Sequence, residues 1–234
     1  MGLSHAALRD QLVQAARRLK ESNVLSHSGH GNMSVRLPES GQMLLTSVSH
    51  LNGLTPEDLV VVTFDGEVIE GNLDPTTREI VGMHSGVYLK RPDVQAVIHT
   101  HSPRTTTFAL AHASLPCVYE AFLRFGITAD IPVADWAPRG SAEAVAFIQD
   151  QLERHPTVPA VLLANHGVLA FSQDILAAAQ LIIIMEESAE MTLDARNLGG
   201  EKGFPPGAVE RERAHMEQFG STQQPFSEQR GPTA

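Results

Sequence analysis

Two short aliphatic stretches that end in histidine constrain this chain more than any other feature. The first, Val94-Gln95-Ala96-Val97-Ile98, runs into His99-Thr100-His101. The second, Val161-Leu162-Leu163-Ala164, runs into Asn165-His166-Gly167 and resumes as Val168-Leu169-Ala170-Phe171. Runs of this length and character read as buried strands. Residues two apart on a strand leave the same face, so His99 and His101 project together. His166, at the turn between two strands, is the natural third member of a metal-chelating cluster. Three neutral imidazoles leave a tetrahedral ion with an open position, the catalytic rather than the structural pattern.

The chain around these strands is long enough, at 234 residues and 42% hydrophobic, to bury one substantial core. The expected organisation is a single domain over residues 1–200 and a C-terminal extension over 201–234, partly mobile, with one short helix around Val209 to Phe219. A formal charge of −10, with no lysine- or arginine-rich block, argues against duplex nucleic acid and anionic membrane as partners. The single cysteine, Cys117, excludes an internal disulfide, fits a reducing compartment and reads as a buried structural thiol. Arg9, Gln11, Arg17, Arg18 and Lys20 interrupt any amino-terminal apolar segment, and the run from Ala177 to Met185 is too short to span a bilayer. A cytoplasmic protein is the expectation.

Helical spacing of Leu8, Leu12, Val13, Ala16 and Leu19 predicts a first helix capped by Ser4. The loop Ser26-His27-Ser28-Gly29-His30-Gly31 then leads into a strand beginning Asn32-Met33-Ser34-Val35-Arg36, and its glycines allow backbone to approach a ligand closely. Met43 to Thr46 and Leu59 to Phe64 read as strands, the second opening a hairpin through Asp65-Gly66. A helix is expected from Pro75, with Thr76 and Glu79 at the spacing of a capping box. Pro103 starts another, Leu115 to Val118 reads as a short strand, Ser141 caps a helix holding Val145, Ile148 and Leu152, and Ser172 or Asp174 starts a long helix stopped by Gly199-Gly200.

The block from Arg91-Pro92-Asp93 through His99-Thr100-His101-Ser102, with Asn165-His166-Gly167 downstream, resembles the class II aldolase/adducin family. Gly31-Asn32-Met33-Ser34 is similar to that family's glycine-asparagine-x-serine turn. The resemblance implies a three-layer αβα fold with a largely antiparallel central sheet. It also implies a homotetramer whose active sites lie near subunit interfaces, and a divalent metal on His99, His101 and His166: zinc first, with manganese or cobalt as alternatives. In the family a serine-serine-glutamate binds the substrate anion and supplies the catalytic acid/base; Thr76, Thr77 and Glu79 stand in that region. Glu79 is therefore the candidate catalytic carboxylate as well as a candidate cap. Asn32, Thr46, Ser47, Thr76, Thr77, Arg78 and Trp136 form the candidate substrate-binding set, Arg78 either clamping a carboxylate or facing solvent.

The chain departs from the familiar pattern in two places. After Thr46 it has Ser47-Val48-Ser49-His50 where a proline-serine-glycine turn is usual, and Glu79 lies one residue farther from His99 than the family glutamate. Together with the extra His27, His30 and His50, these departures favour an unphosphorylated, carboxylated substrate. The expected activity is that of a metal-dependent carbon–carbon lyase acting on a small hydroxylated oxo or carboxylate compound, by retro-aldol or decarboxylation chemistry through a metal-stabilised enolate. A sugar-phosphate aldolase or 4-epimerase is the alternative within the family, and a non-catalytic adducin-like interaction protein is the alternative of another class.

Overall fold

The computed structural model describes residues 5–38, 41–75 and 77–218. Strand alternation sets its architecture. In β1 (Gly31–Arg36), Met33 and Val35 face one hydrophobic cluster while Asn32 and Ser34 face the opposite side; in β5 (Ala96–Thr100), Ala96 and Ile98 share the first cluster while Val97 and His99 take the other. Both faces are thus covered. With β2 (Gln42–Thr46), β3 (Leu59–Thr63), β4 (Val68–Glu70), β6 (Val133–Ala134), β7 (Ala160–Leu163) and β8 (Gly167–Ser172), these strands form one eight-stranded sheet in the order β4-β3-β2-β1-β5-β8-β7-β6. Every pairing is antiparallel except β6 with β7.

Helices α1 (His5–Glu21), α3 (Pro103–Leu110) and α6 (Ile175–Arg196) cover one face; α2 (Ile80–Lys90) and α5 (Ala142–Arg154) cover the other. This is the expected three-layer αβα arrangement. The second face is tightly built, because a Cβ on Gly86 of α2 would lie 2.9 Å from Val145 Cγ1 of α5. Asp174 caps α6 by accepting from the Ala177 N–H, and Ser141 caps α5 by accepting from the Ala144 N–H. The N-terminus of α3 is capped from a distance: the buried Glu186 carboxylate accepts from the N–H groups of Arg104 and Thr105 and from the Thr105 hydroxyl. Among the described residues, no helix is long and apolar enough to cross a membrane.

Local expectations shift in two places, at the start of α2 and at Leu115 to Val118. Helix α2 begins at Ile80 rather than Pro75; residues 77–79 form turns, in which the Thr77 hydroxyl donates to the carbonyls of Asp74 and Ser47 and so ties this loop to the end of β2. Thr76, and with it the expected capping box, lies outside the described residues, as does the Ser4 cap. Leu115 to Val118 makes only a single bridge, Leu115 with Ile131, because Pro116 has no N–H to extend a ladder. Residues 120–124, which lack clear periodicity, form α4 (Glu120–Arg124), against which α7 (Ala208–Gln218) packs with an Arg124–Glu212 ion pair of 3.7 Å.

Candidate metal centre and active-site cavity

Strand register brings the histidines together. His99 lies directly opposite Asn32 of β1 and Leu169 of β8, and His101 follows on the same side just beyond the end of β5. His166 sits in the β7–β8 turn, after Asn165, whose backbone is in the left-handed region at φ 58°. Asparagine tolerates that conformation better than most residues. Two bonds hold it there: its N–H donates to the Ala109 carbonyl, and its side-chain carbonyl accepts from His112 Nε2 at 2.7 Å. Gly167 then lets β8 run close beside β5.

The three rings pack with centroids 4.6 to 5.0 Å apart, and one ligand atom from each lies within 4.8 Å of the others. The donor set suits a divalent cation. His99 Nδ1–H donates to the Val168 carbonyl at 3.0 Å, which fixes the ring and leaves its Nε2 lone pair facing the cluster. The Nε2 atoms of His99 and His101 are 3.1 Å apart, near the ~3.3 Å edge implied by tetrahedral zinc–imidazole bonds. Burial keeps all three rings neutral. It pushes His99 well below the usual range, reinforced by His166 and His101; it lowers His101 to about 4, reinforced by His166, His30 and Arg139; and it lowers His166, with Arg139 adding to the effect and Glu79 opposing it. Neutral imidazoles are the form that binds metal.

The cluster opens into a cavity of about 410 Å³. Of the sequence-derived candidates, Glu79, Asn32 and Trp136 line it with the three histidines; Ser49 and His30, the latter 5.7 Å from His101 between ring centroids, join them. Thr46, Ser47, Thr77 and Arg78 do not. The Thr46 hydroxyl accepts from the Met33 N–H, the Ser47 hydroxyl donates to the Asp58 carbonyl, Thr77 is bound as described above, and Arg78 is exposed. His27 and His50 are exposed and also lie outside this lining.

Two contributors escape sequence reading. Arg139, from the loop before α5, pairs with Glu79 at 2.6 Å and lines the cavity beside it. His84, fully buried on α2, hydrogen-bonds Asn32 at 2.6 Å. The Arg139-Gly140-Ser141 string identifies a cap but carries no sign of a partner 60 residues upstream. His84, by contrast, is a histidine on an otherwise apolar helix face, a signal the sequence does carry.

Comparison with known proteins agrees with this fold. Residues 10–193 match the family described as class II aldolase and adducin N-terminal domain. The chain is 30% identical over 214 residues to 5-deoxy-D-ribulose 1-phosphate aldolase of Bacillus thuringiensis serovar kurstaki, covering 91% of this chain and 96% of that protein. It is also 30% identical over 223 residues to 5-methylthioribulose-1-phosphate/5-deoxyribulose-1-phosphate aldolase of Rhodospirillum rubrum, covering 94% and 96%. The solved structure of an L-fuculose 1-phosphate aldolase superposes with a TM-score of 0.79 at 28% identity, over 92% of this chain and 100% of that one. With its histidine triad, αβα layers and family match in agreement, the chain belongs to the class II aldolase and adducin family.

Proposed function

We propose that the chain cleaves a short hydroxylated oxo compound, bearing an anionic phosphate ester or carboxylate at one end, by a retro-aldol reaction. It is a class II, metal-dependent lyase. The observation that carries the reading is the convergence of three neutral imidazoles, one carboxylate and one buried amide on a single cavity. A divalent ion held by His99, His101 and His166 supplies Lewis-acid polarisation of a substrate oxygen. Zinc suits an all-imidazole set, with manganese or cobalt as alternatives.

The remaining steps belong to the chain's own groups. Glu79 takes the proton from the substrate hydroxyl that becomes the departing carbonyl, and the electron pair of the broken carbon–carbon bond is left as an enolate on the other fragment. The same carboxyl then returns a proton to that carbon. Arg139 orients Glu79, and Asn32 faces the anionic end. Ile80, Met83, Val145, Ile148 and Leu163 give the cavity an apolar wall. That wall suits a hydroxyl-poor substrate tail, in keeping with the deoxy and methylthio sugars for which two relatives are named. Trp136, 59% exposed at the cavity, supports a site near a subunit boundary in a homotetramer, and we read the protein as cytoplasmic.

A product assay on the metal-loaded chain tests the proposal. Ketose 1-phosphates and hydroxy-oxo acids are offered in parallel, and aldehyde and carbon dioxide are both measured. Aldehyde release supports retro-aldol cleavage. Carbon dioxide alone reassigns the chain to decarboxylation, inversion without fragmentation to epimerisation, and no turnover by metal-replete protein to an adducin-like binding role.

A further inference from the structure

On the sheet face that carries His99, Asn32 and Ser34 of β1 stand two residues apart and so point the same way, while His84 and Tyr88 of α2 stand four apart and share one side of their helix. The two periodicities meet in a chain of buried hydrogen bonds. Tyr88 Oη is 2.7 Å from Ser34 Oγ, Ser34 Oγ is 2.7 Å from His84 Nδ1, and His84 Nε2 is 2.6 Å from Asn32 Oδ1. All four residues are buried, and Asn32 alone among them lines the metal cavity.

The chain has a direction. Burial lowers His84 to about 3, so its ring is neutral and carries one N–H. Ser34 Oγ is the hydrogen-bond partner within reach of the buried Tyr88 hydroxyl, so the phenol hydrogen goes to Ser34 Oγ. The Ser34 hydroxyl then gives its hydrogen to His84 Nδ1, and the proton on Nε2 is donated to Asn32 Oδ1. The reverse order would leave the buried phenol hydrogen without an acceptor, which a buried donor does not tolerate without loss of stability.

We propose that the Tyr88–Ser34–His84 chain is a positioning device for Asn32: it holds the amide in one of its two flips, carbonyl into the protein and NH2 into the cavity, so that this end of the site takes a group that only accepts hydrogen bonds. Phosphate ester and carboxylate oxygens share that chemistry. A substrate hydroxyl seeking an acceptor there would meet a donor. The inference rests on the reading of Asn32 as a contact for the substrate's anionic end, and it makes His84, Ser34 and Tyr88 positioning residues rather than catalytic ones.

The test uses the full-length, metal-loaded chain and inorganic phosphate as the probe, followed by calorimetric titration alongside metal content. Asn32→Ala is expected to weaken phosphate binding about tenfold, roughly 1.4 kcal/mol. His84→Leu should match it at unchanged metal content, and the double variant should be no weaker than either single one, because both remove the same contact. His84→Gln, which keeps an N–H donor, should recover binding to within about threefold of the parent; a merely space-filling role would not distinguish Gln from Leu. Ser34→Ala, which removes the hydrogen given to Nδ1, should weaken phosphate several-fold and decides the matter if His84→Leu does not fold. Loss in Asn32→Ala with parental binding in His84→Leu, or in Ser34→Ala where that variant decides, overturns the positioning role alone. Parental phosphate binding in Asn32→Ala overturns the anion-contact reading and the proposal together. Acetate, titrated in the same series, distinguishes carboxylate from phosphate as the favoured group.

Discussion

Arg139 Nη2 lies 2.6 Å from Glu79 Oε1, joining the loop before α5 to the loop before α2 across the rim of the metal cavity. Both side chains are partly exposed, at 47% and 38%, and an ion pair of that exposure contributes only about 0–1 kcal/mol to stability. Its consequence is orientation. Glu79 has no cap bond to its own helix, and the guanidinium gives its carboxylate a fixed direction beside His166.

Glu79→Gln should therefore lower kcat by about 10²- to 10⁴-fold, the usual range for loss of a general acid/base, with bound metal unchanged. Arg139→Ala should lower it less and shift unfolding by no more than about 1 kcal/mol. Steady-state kinetics with metal quantified by atomic emission checks both. Near-parental kcat in Glu79→Gln would remove Glu79 from the mechanism.

Gly140 provides an independent handle on the same carboxylate. Its φ is +75°, and a Cβ there would lie 2.4 Å from Glu79 Cβ and 3.2 Å from Glu79 Cα. Gly140→Ala must both bear a left-handed alanine, costing about 1–2 kcal/mol, and push Glu79 away. Its activity should fall further than that of Arg139→Ala, although the new side chain is only a methyl group. Equal activities in the two variants would show that the aim of Glu79 does not limit the reaction.

Gly167 is constrained by proximity alone. A Cβ at this position would approach the Thr100 carbonyl oxygen to 2.5 Å, His101 Cδ2 to 3.0 Å and His99 Cε1 to 3.2 Å. Gly167→Ala should spread β5 from β8 and tilt two imidazoles, weakening metal binding by about 10- to 100-fold, as changes beside metal ligands commonly do. Competition against a chromogenic chelator measures this directly, and parental affinity would mean that the triad is less rigid than its packing implies.

These relationships separate what the sequence makes legible from what it does not. His99 and His101 are readable because a strand's period of two is rigid, and His166 because Asn165 and Gly167 announce a turn. Asp174 and Ser141 are readable as caps because capping is a local bond. Thr46, Ser47 and Thr77 illustrate the opposite case. Their hydroxyls suit an anion in isolation, but each is bound to a backbone group supplied by a different loop or strand. Arg139 and Glu79 meet across 60 residues, and the Tyr88–Ser34–His84 chain exists only once α2 lies on β1. Pairings of that kind are set by tertiary packing, which a one-dimensional pattern does not carry.

His84 also makes stability depend on pH in a direction that follows from its burial. In the folded protein its pKa is lowered to about 3, whereas an unfolded chain restores it to about 6.5. Above pH 6.5 neither state is protonated at this ring and its full contribution is present. Below that pH the unfolded state takes up a proton that the folded state refuses, so stability is lost at about 1.4 kcal/mol per pH unit until the folded pKa is reached. His84→Gln has no such group. The stability difference between parent and variant, from urea denaturation of the metal-free proteins, should change by about 2–3 kcal/mol between pH 7.5 and pH 4.5, in the variant's favour at the lower pH. His99, His101 and His166 titrate in the same sense in both proteins and cancel in the subtraction. A difference that does not vary with pH would mean that the folded protein accepts a proton on His84, and with it that the hydrogen-bond chain to Asn32 does not have the direction assigned above.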